Sequence, residues 1–463
     1  MTIAEHMAAF VVRASYAELS EGARQQLKIR ILDSLGCAIG ALDGQPARLV
    51  REQLRDFGGN SLCTLVGGPR SAPDRAAFYN SALVRYLDFN DSYLARGETS
   101  HPSDNLGAVL AAAEYAGKDG RDLMTALAVA YQVLCTLSDV APVRARGFDH
   151  TTLGSFAVAA GVARALGLDV CKTANAIAIC GTAFNALRVT RTGALSNWKG
   201  LAYPNTDFAC THAAFLAMRG ITGPLEVFEG NKGFMQAIAG PFQIDWSKQD
   251  LEKVTGTILK KYNAEIHSQS TLEGILELRQ ANGFTGDDVA RVAIEIFDVA
   301  YNIIGGGEEG EKTTIRTKEQ ADHSLPYMVA VAILDGQVMP EQYLPRRIVQ
   351  PDVQTLLRKV EVRPSAELSQ HFPRQMPVRI DVWLDDGRKL SIEKLAYEGF
   401  CTQPMRWDTV VEKFDRLGAP HADATLRQDI VSAVANLESI GVSDLMQLLA
   451  KVSVPGPALP RVA

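Results

Sequence analysis

Between Leu19 and Leu42 the apolar positions Leu27, Ile31, Leu32, Leu35 and Ile39 recur at three- and four-residue intervals, and Ser20 stands where an N-cap would. That spacing predicts a helix with one face turned to a core. Gly36, Cys37 and Gly40 make part of its surface small, which predicts close contact with another helix. The same periodicity predicts helices over about 103–117 (Leu106, Val109, Leu110 and Ala113 on one face), 122–137, 152–166, 174–187 and 206–219. Residues 152–166 are rich in Ala and Gly and stop at Gly167, the signature of a buried helix with a glycine end. Six helices with short polar connections describe an all-α domain.

The pattern changes after about residue 285. Val292, Ile294 and Ile296 alternate with Ala293 and Glu295, the period of a strand. Val378, Ile380, Val382 and Leu384 alternate with Arg379, Asp381 and Trp383, and Asp386-Gly387 joins them to a further alternation over 389–393, which predicts a β-hairpin. Between them, 325–334 reads as a helix beginning at a proline. Helical spacing returns after 405 in Val410, Val411, Phe414 and Leu417, then in Leu426, Ile430, Val434 and Leu437. The expected architecture is mainly α: an all-helical domain from residues 1–280 and 400–463, with a smaller α+β lid domain, 281–399, inserted in it. Residues 452–463 read as a loose tail.

A chain of 463 residues is too long for one core of ordinary size, which agrees with two domains. Charged residues are 22% and the net charge is −6, with no Lys/Arg run, so neither nucleic acid nor an anionic membrane is an expected partner. No run reaches the roughly 18 uncharged apolar residues of a membrane helix, and Met1 to Arg13 lacks the form of a signal peptide. The seven cysteines are scattered and form no CxxC pair, so disulfides, structural zinc and a cysteine-held iron–sulfur cluster are not expected. A cytoplasmic protein follows, with no metal and no cofactor.

The chemistry-bearing residues gather before helix starts. Asp88, Asn90, Asp91 and Ser92 precede Thr99-Ser100-His101-Pro102-Ser103-Asp104-Asn105. His is the side chain best placed for proton transfer near neutral pH, and helix N-termini favour anions. Read as structure alone, Asp91 and Asp104 would cap helices and His101 would be a satisfied loop residue. Gly147-Phe148-Asp149-His150-Thr151 leads into another helix, and Arg188 and Arg191 flank a turn ahead of Asn197-Trp198-Lys199-Gly200. Lys260-Lys261-Tyr262-Asn263-Ala264-Glu265-Ile266-His267 and His323-Ser324-Leu325-Pro326-Tyr327 each start one more. Singly, each cation is a solvated surface charge; together they suit an anionic substrate. Gly305-Gly306-Gly307 runs into Glu308 and Glu309, which would repel phosphate, and neither HExxH nor GxSxG is present.

Six segments carry a resemblance: ILDSLGCAIGAL (31–42), RYLDFNDSYLARGETSHPSDNLGAVLAAAEY (85–115), GFDHTTLGSFAVAAGVARALGLD (147–169), NWKGLAYPNTDFACTHAAFLAMRGITGPLEVFEGNKGF (197–234), KKYNAEIHSQSTLEGILEL (260–278) and HSLPYMVAVAILDG (323–336). In this order the chain resembles the MmgE/PrpD family, which includes 2-methylcitrate dehydratase and cis-aconitate decarboxylase. The resemblance implies a helical domain built from both chain ends, an inserted lid, a homodimer, and a site in the cleft between domains that uses neither an iron–sulfur cluster nor a required metal. It implies catalytic roles for Asp91, His101, His150 and Tyr327, and carboxylate binding by Lys199 and the 260–267 segment. Asn263 stands where a proline is common, which ranks His267 above Lys260 and Lys261. With Arg188 and Arg191 added, the substrate-binding candidates are Lys199, Arg188, Arg191, His267 and Lys261.

The expected activity is a hydro-lyase on a tricarboxylate or β-hydroxy acid such as 2-methylcitrate. His101 would act as base or acid with Asp91 orienting it, and Tyr327 or His150 would be the second proton carrier. A decarboxylase or a dicarboxylate isomerase or epimerase passes through the same carbanion-like state. A helical scaffold without activity ranks below these, because the His, Lys and Asp set is present.

Overall fold

In the computed structural model, which describes residues 1–193 and 195–454, the chain is mainly α and groups into two compact units. The first comprises residues 1–190, 200–257 and the chain from 406 onward; the second comprises 191–199 and 258–405.

The first unit is helical. Glu21–Gly40 begins at Ser20, whose hydroxyl accepts the amide of Ala23. Its small face meets Trp407–Gly418: a methyl group on Gly36 would lie 3.2 Å from the Phe414 Cα. Thr151–Leu166 is buried along nearly its whole length and ends at Gly167, with φ +69°. A methyl group on Gly161 would lie 2.9 Å from the Ala130 Cβ, so glycine there permits close packing on Gly120–Val140.

Gly120–Val140 is long and apolar enough on length and composition to cross a membrane, with a mean hydropathy of 1.5 over its best window. Its uncharged run, 123–138, is still shorter than the roughly 18 residues of the sequence criterion. The window is 89% buried inside the protein, as for a helix surrounded by other helices.

The helices of the first unit differ from expectation in number and ends. Ile3–Arg13, Gln45–Phe57 and Pro73–Tyr86 are additional, and 174–187 becomes Val170–Ala183. The helix expected over 206–219 is Trp198–Met218, with Pro204 inside it.

The second unit holds a four-stranded sheet in the order Val360–Pro364, Val289–Ile296, Val378–Leu384, Lys389–Lys394. The first pair is parallel and the others antiparallel. The expected hairpin is present; Val360–Pro364 is an additional strand. Gln269–Asn282, assigned from sequence to the all-helical domain, groups here with the sheet. Gly274 lets it approach Ile380 and Ile392, where an added methyl would lie 2.9 and 3.3 Å away. The other face carries ion pairs such as Arg291–Glu361 and Arg379–Glu367, the division of a sheet with one wet side. Of the expected tail, residues 455–463 lie outside the described residues.

Candidate active site

Two polar clusters stand out, one in each unit. The first is built by a short hairpin. Tyr93–Ala95 pairs antiparallel with Glu98–Ser100, Tyr93 opposite Ser100, so residues 91–92 fold back onto 101–103. Asp91 is fully buried. One carboxylate oxygen accepts the Ser103 amide (3.0 Å) and hydroxyl (2.7 Å), and the other accepts the Tyr131 hydroxyl (2.7 Å). Burial pushes the Asp91 carboxyl up, against the pull of these donors.

His101 Nδ1 lies 2.8 Å from the main-chain oxygen of Asp91 and 3.1 Å from the Ser92 hydroxyl. A carbonyl only accepts, so Nδ1 carries a hydrogen and the lone pair of the neutral ring is on Nε2. The expectation that the Asp91 side chain orients His101 is thereby corrected. The main-chain carbonyl does so, while the carboxylate fastens Ser103 and Tyr131.

His150 caps Thr151–Leu166 at its N-terminus. Its turn is held by Asp149 N–H to Ala186 O (2.9 Å) and Arg188 N–H to Gly147 O (2.9 Å). The His150 ring centre is 5.4 Å from that of His101, edge to face, and 5.9 Å from the Tyr203 ring at an interplanar angle of 29°. Gly154 allows this stacking, since a methyl there would lie 2.6 Å from Tyr203 Cε2. Asp149 Oδ1 is 3.4 Å from His150 Nδ1, and Arg188 Nη1 is 3.7 Å from Asp149 Oδ2. Glu98, also buried, accepts the amides of Val143 and Arg144. Burial, reinforced by repulsion from Asp149 and opposed by Arg188, pushes it up to about 7.

The second cluster centres on two carboxylates. Lys199 Nζ donates to Asp322 Oδ1 (2.9 Å) and meets His323 Nδ1 (2.9 Å), and Lys318 donates to Asp322 Oδ2 (2.7 Å). Burial alone would raise the Asp322 pKa; Lys199, Lys318 and His323 outweigh it and hold the carboxyl well below the usual range. Glu265 Oε1 is 2.7 Å from His267 Nδ1. Burial opposes ionisation here too, but His267, His323 and Lys260 hold Glu265 down to about 2. His267 packs near Phe297 and Phe372, and its Nε2 is buried with no hydrogen-bond partner among the described residues. Such an atom calls for an explanation, and a bound ligand is one.

The other expected residues are placed as follows. Arg188 lies against Asp149, the residue before His150, with Nη1 3.7 Å from Oδ2. Arg191 is buried and donates to the main-chain oxygen of Lys199 (3.2 Å). Lys261 pairs with Glu273 (3.2 Å) and Glu398 (3.0 Å), which neutralise it. The Tyr327 hydroxyl donates to the Gln342 carbonyl, and burial raises its pKa further above neutrality. Sequence reasoning gave no role to Asp149, Glu98, Tyr203 or Asp322. The signal for two of them was an Asp directly before a His, in Asp149-His150 and again in Asp322-His323.

Residues 5–247 match the MmgE/PrpD N-terminal domain and residues 262–439 the MmgE/PrpD C-terminal domain. The chain is 27% identical over 405 residues to a mitochondrial 2-methylcitrate dehydratase of Yarrowia lipolytica (82% of this chain, 76% of the relative). It is 26% identical over 406 residues to the 2-methylcitrate dehydratase of Escherichia coli K12 (80% and 79%). To the cis-aconitate decarboxylase of Mus musculus it is 23% identical over 484 aligned positions (99% and 95%). Matched by both domains and related over most of its length to dehydratases and a decarboxylase, the chain belongs to the MmgE/PrpD family and is an enzyme of the lyase class.

Proposed function

We propose that the enzyme is a hydro-lyase that dehydrates, or in reverse hydrates, a tricarboxylate or related β-hydroxy acid such as 2-methylcitrate. The observation that carries this reading is the pair of imidazoles, His101 and His150, 5.4 Å apart between ring centres. Dehydration needs one group to take a proton beside a carboxylate and another to protonate the departing hydroxyl. Carbanion-like charge spreads into that carboxylate, and cations aimed at it stabilise the transition state. The second unit, read as the inserted α+β lid domain of the family, holds a group of basic side chains of its own, Lys199, His323, Lys260 and His267, around Asp322 and Glu265. The dehydratase relatives favour this chemistry. The same reading carries a homodimer in solution, which light scattering measures directly.

A decarboxylase is the second reading, favoured by the relative that aligns with 99% of the chain. A panel of tricarboxylates and hydroxy dicarboxylates, with products followed by NMR, separates the two: a new C=C bond without CO₂ marks dehydration, and release of CO₂ marks decarboxylation. His101→Ala should lower turnover about 10²–10⁴-fold, as for a lost proton-transfer group. An unchanged rate would remove His101 from the mechanism.

A further inference from the structure

We infer that Asp149 is the positioning residue that makes His150 the acid of the pair, leaving His101 as the base. The inference rests on the acid–base reading above and gives it a direction. The two rings meet different partners. His101 Nδ1 donates to a main-chain carbonyl, so whenever the ring is neutral its lone pair is on Nε2, the form a base requires. His150 Nδ1 faces a carboxylate oxygen at 3.4 Å with both side chains buried, and an opposite charge at that distance favours the imidazolium. Tyr203, stacked on the ring, adds a π face, which also favours a cation. Arg188 sits on the far oxygen of Asp149 and fixes how the carboxylate is turned.

Among the described residues, Asp149 on its own turn bears on His150 directly, and Asp149 in turn is met by Arg188, on the turn after Val170–Ala183, and by Glu98 on the hairpin. His101 comes from the loop that follows the hairpin, and Tyr203 from Trp198–Met218. In the forward step His101 Nε2 takes the proton beside the carboxylate, and the C–H electron pair becomes the C=C bond. The C–O bond breaks, and the His150 proton leaves with the hydroxyl as water. His101 ends protonated and His150 neutral, and solvent exchange restores both.

The test is Asp149→Asn in the full-length enzyme, which keeps the size of the side chain and removes its charge. The alkaline limb of kcat should move to lower pH by about one unit, a tenfold loss of proton affinity at His150, with KM within threefold of the parent. NMR of 13C-labelled histidine should show the His150 titration moving the same way without substrate. Arg188→Gln should move both in the opposite direction, because it removes a cation from the same carboxylate. Asp149→Glu should bring the limb back towards the parent position. A uniform fall in kcat at every pH, with the His150 titration unmoved, would overturn the inference and leave Asp149 a merely structural residue. Full activity in His150→Ala would instead overturn the acid–base reading itself. If Asp149→Asn does not fold, the direction of the Arg188→Gln shift decides.

Discussion

Glu98 has a measurable consequence for stability. Its carboxyl is 2% exposed, and its Oε2 accepts two main-chain amides at 3.1 Å. Burial, with Asp149 adding to it, displaces its pKa from the ordinary 4.5 to about 7. At 1.36 kcal/mol per tenfold change in proton affinity, that displacement corresponds to about 3 kcal/mol. The sign follows from linkage. Below pH 4.5 the folded and unfolded chains both hold the proton and there is no penalty. Between 4.5 and 7 the folded chain binds a proton that the unfolded chain has released, so stability falls as pH rises, and above 7 the whole penalty is present. Glu98→Gln removes the ionisation while its amide oxygen still accepts the Val143 and Arg144 amides. The variant should match its parent at pH 5 to within about 1 kcal/mol and gain up to about 3 kcal/mol on it at pH 8.5. For a protein of this size that gain is several degrees in melting temperature. Thermal and urea unfolding followed by circular dichroism at the two pH values measures it. Parallel behaviour of parent and variant would refute the reasoning, because a carboxylate that ionises at no cost to the fold leaves nothing for glutamine to relieve.

Two further substitutions probe the supports of the same cluster. Gly154→Ala puts a methyl 2.6 Å from Tyr203 Cε2 and should displace that ring from His150, at a cost of about 1–3 kcal/mol in stability and with a larger effect on kcat than on KM; parent-like turnover and stability would show the contact to be slack. Lys413→Met removes an ammonium that lies 2.6 Å from Asp33 Oδ1 and donates to the Phe89 carbonyl at 2.8 Å, two residues before Asp91. It should destabilise by about 3–5 kcal/mol, and adding Asp33→Asn should recover part of the loss; strictly additive effects in urea unfolding would show the two groups to be uncoupled.

What the sequence revealed depended on whether the cause was local. Thr151–Leu166 was legible because its residues are small or apolar on every side and Gly167 ends it. The hairpin of the second unit was legible because Asp386-Gly387 sits between alternating runs. Val360–Pro364 alternates too briefly to register before its proline, and it becomes a strand only through pairing with Val289–Ile296. The apolar spacing over 206–219 found only the later part of Trp198–Met218, which has Pro204 in its interior, where a proline removes one backbone hydrogen bond. The site followed the same rule. His101 and Asp91 announced themselves as polar residues packed before a helix. Glu98 and Tyr203 did not, because Glu98 comes near Asp149 through a hairpin and Tyr203 meets His150 from a helix that begins 48 residues later.

The net charge of −6 disfavours a polyanionic substrate overall, but the local arrangement decides the matter. Several candidate cations are matched by carboxylates: Arg188 with Asp149, and Lys261 with Glu273 and Glu398. In the second unit Lys199 and Lys318 bear on Asp322, Lys260 on Glu265, and Lys312 on Glu309. Asp322 and Glu265 are held far below neutrality, so they stay ionised and their charges do not vary with pH. Lys312 is the variable member: burial lowers its pKa, against the attraction of Glu309, Glu265 and Asp322. Asp322 and Glu265, staying ionised, fix Lys199, Lys318 and Lys260 in place, and an acidic chain can in this way gather cations locally in spite of its net charge.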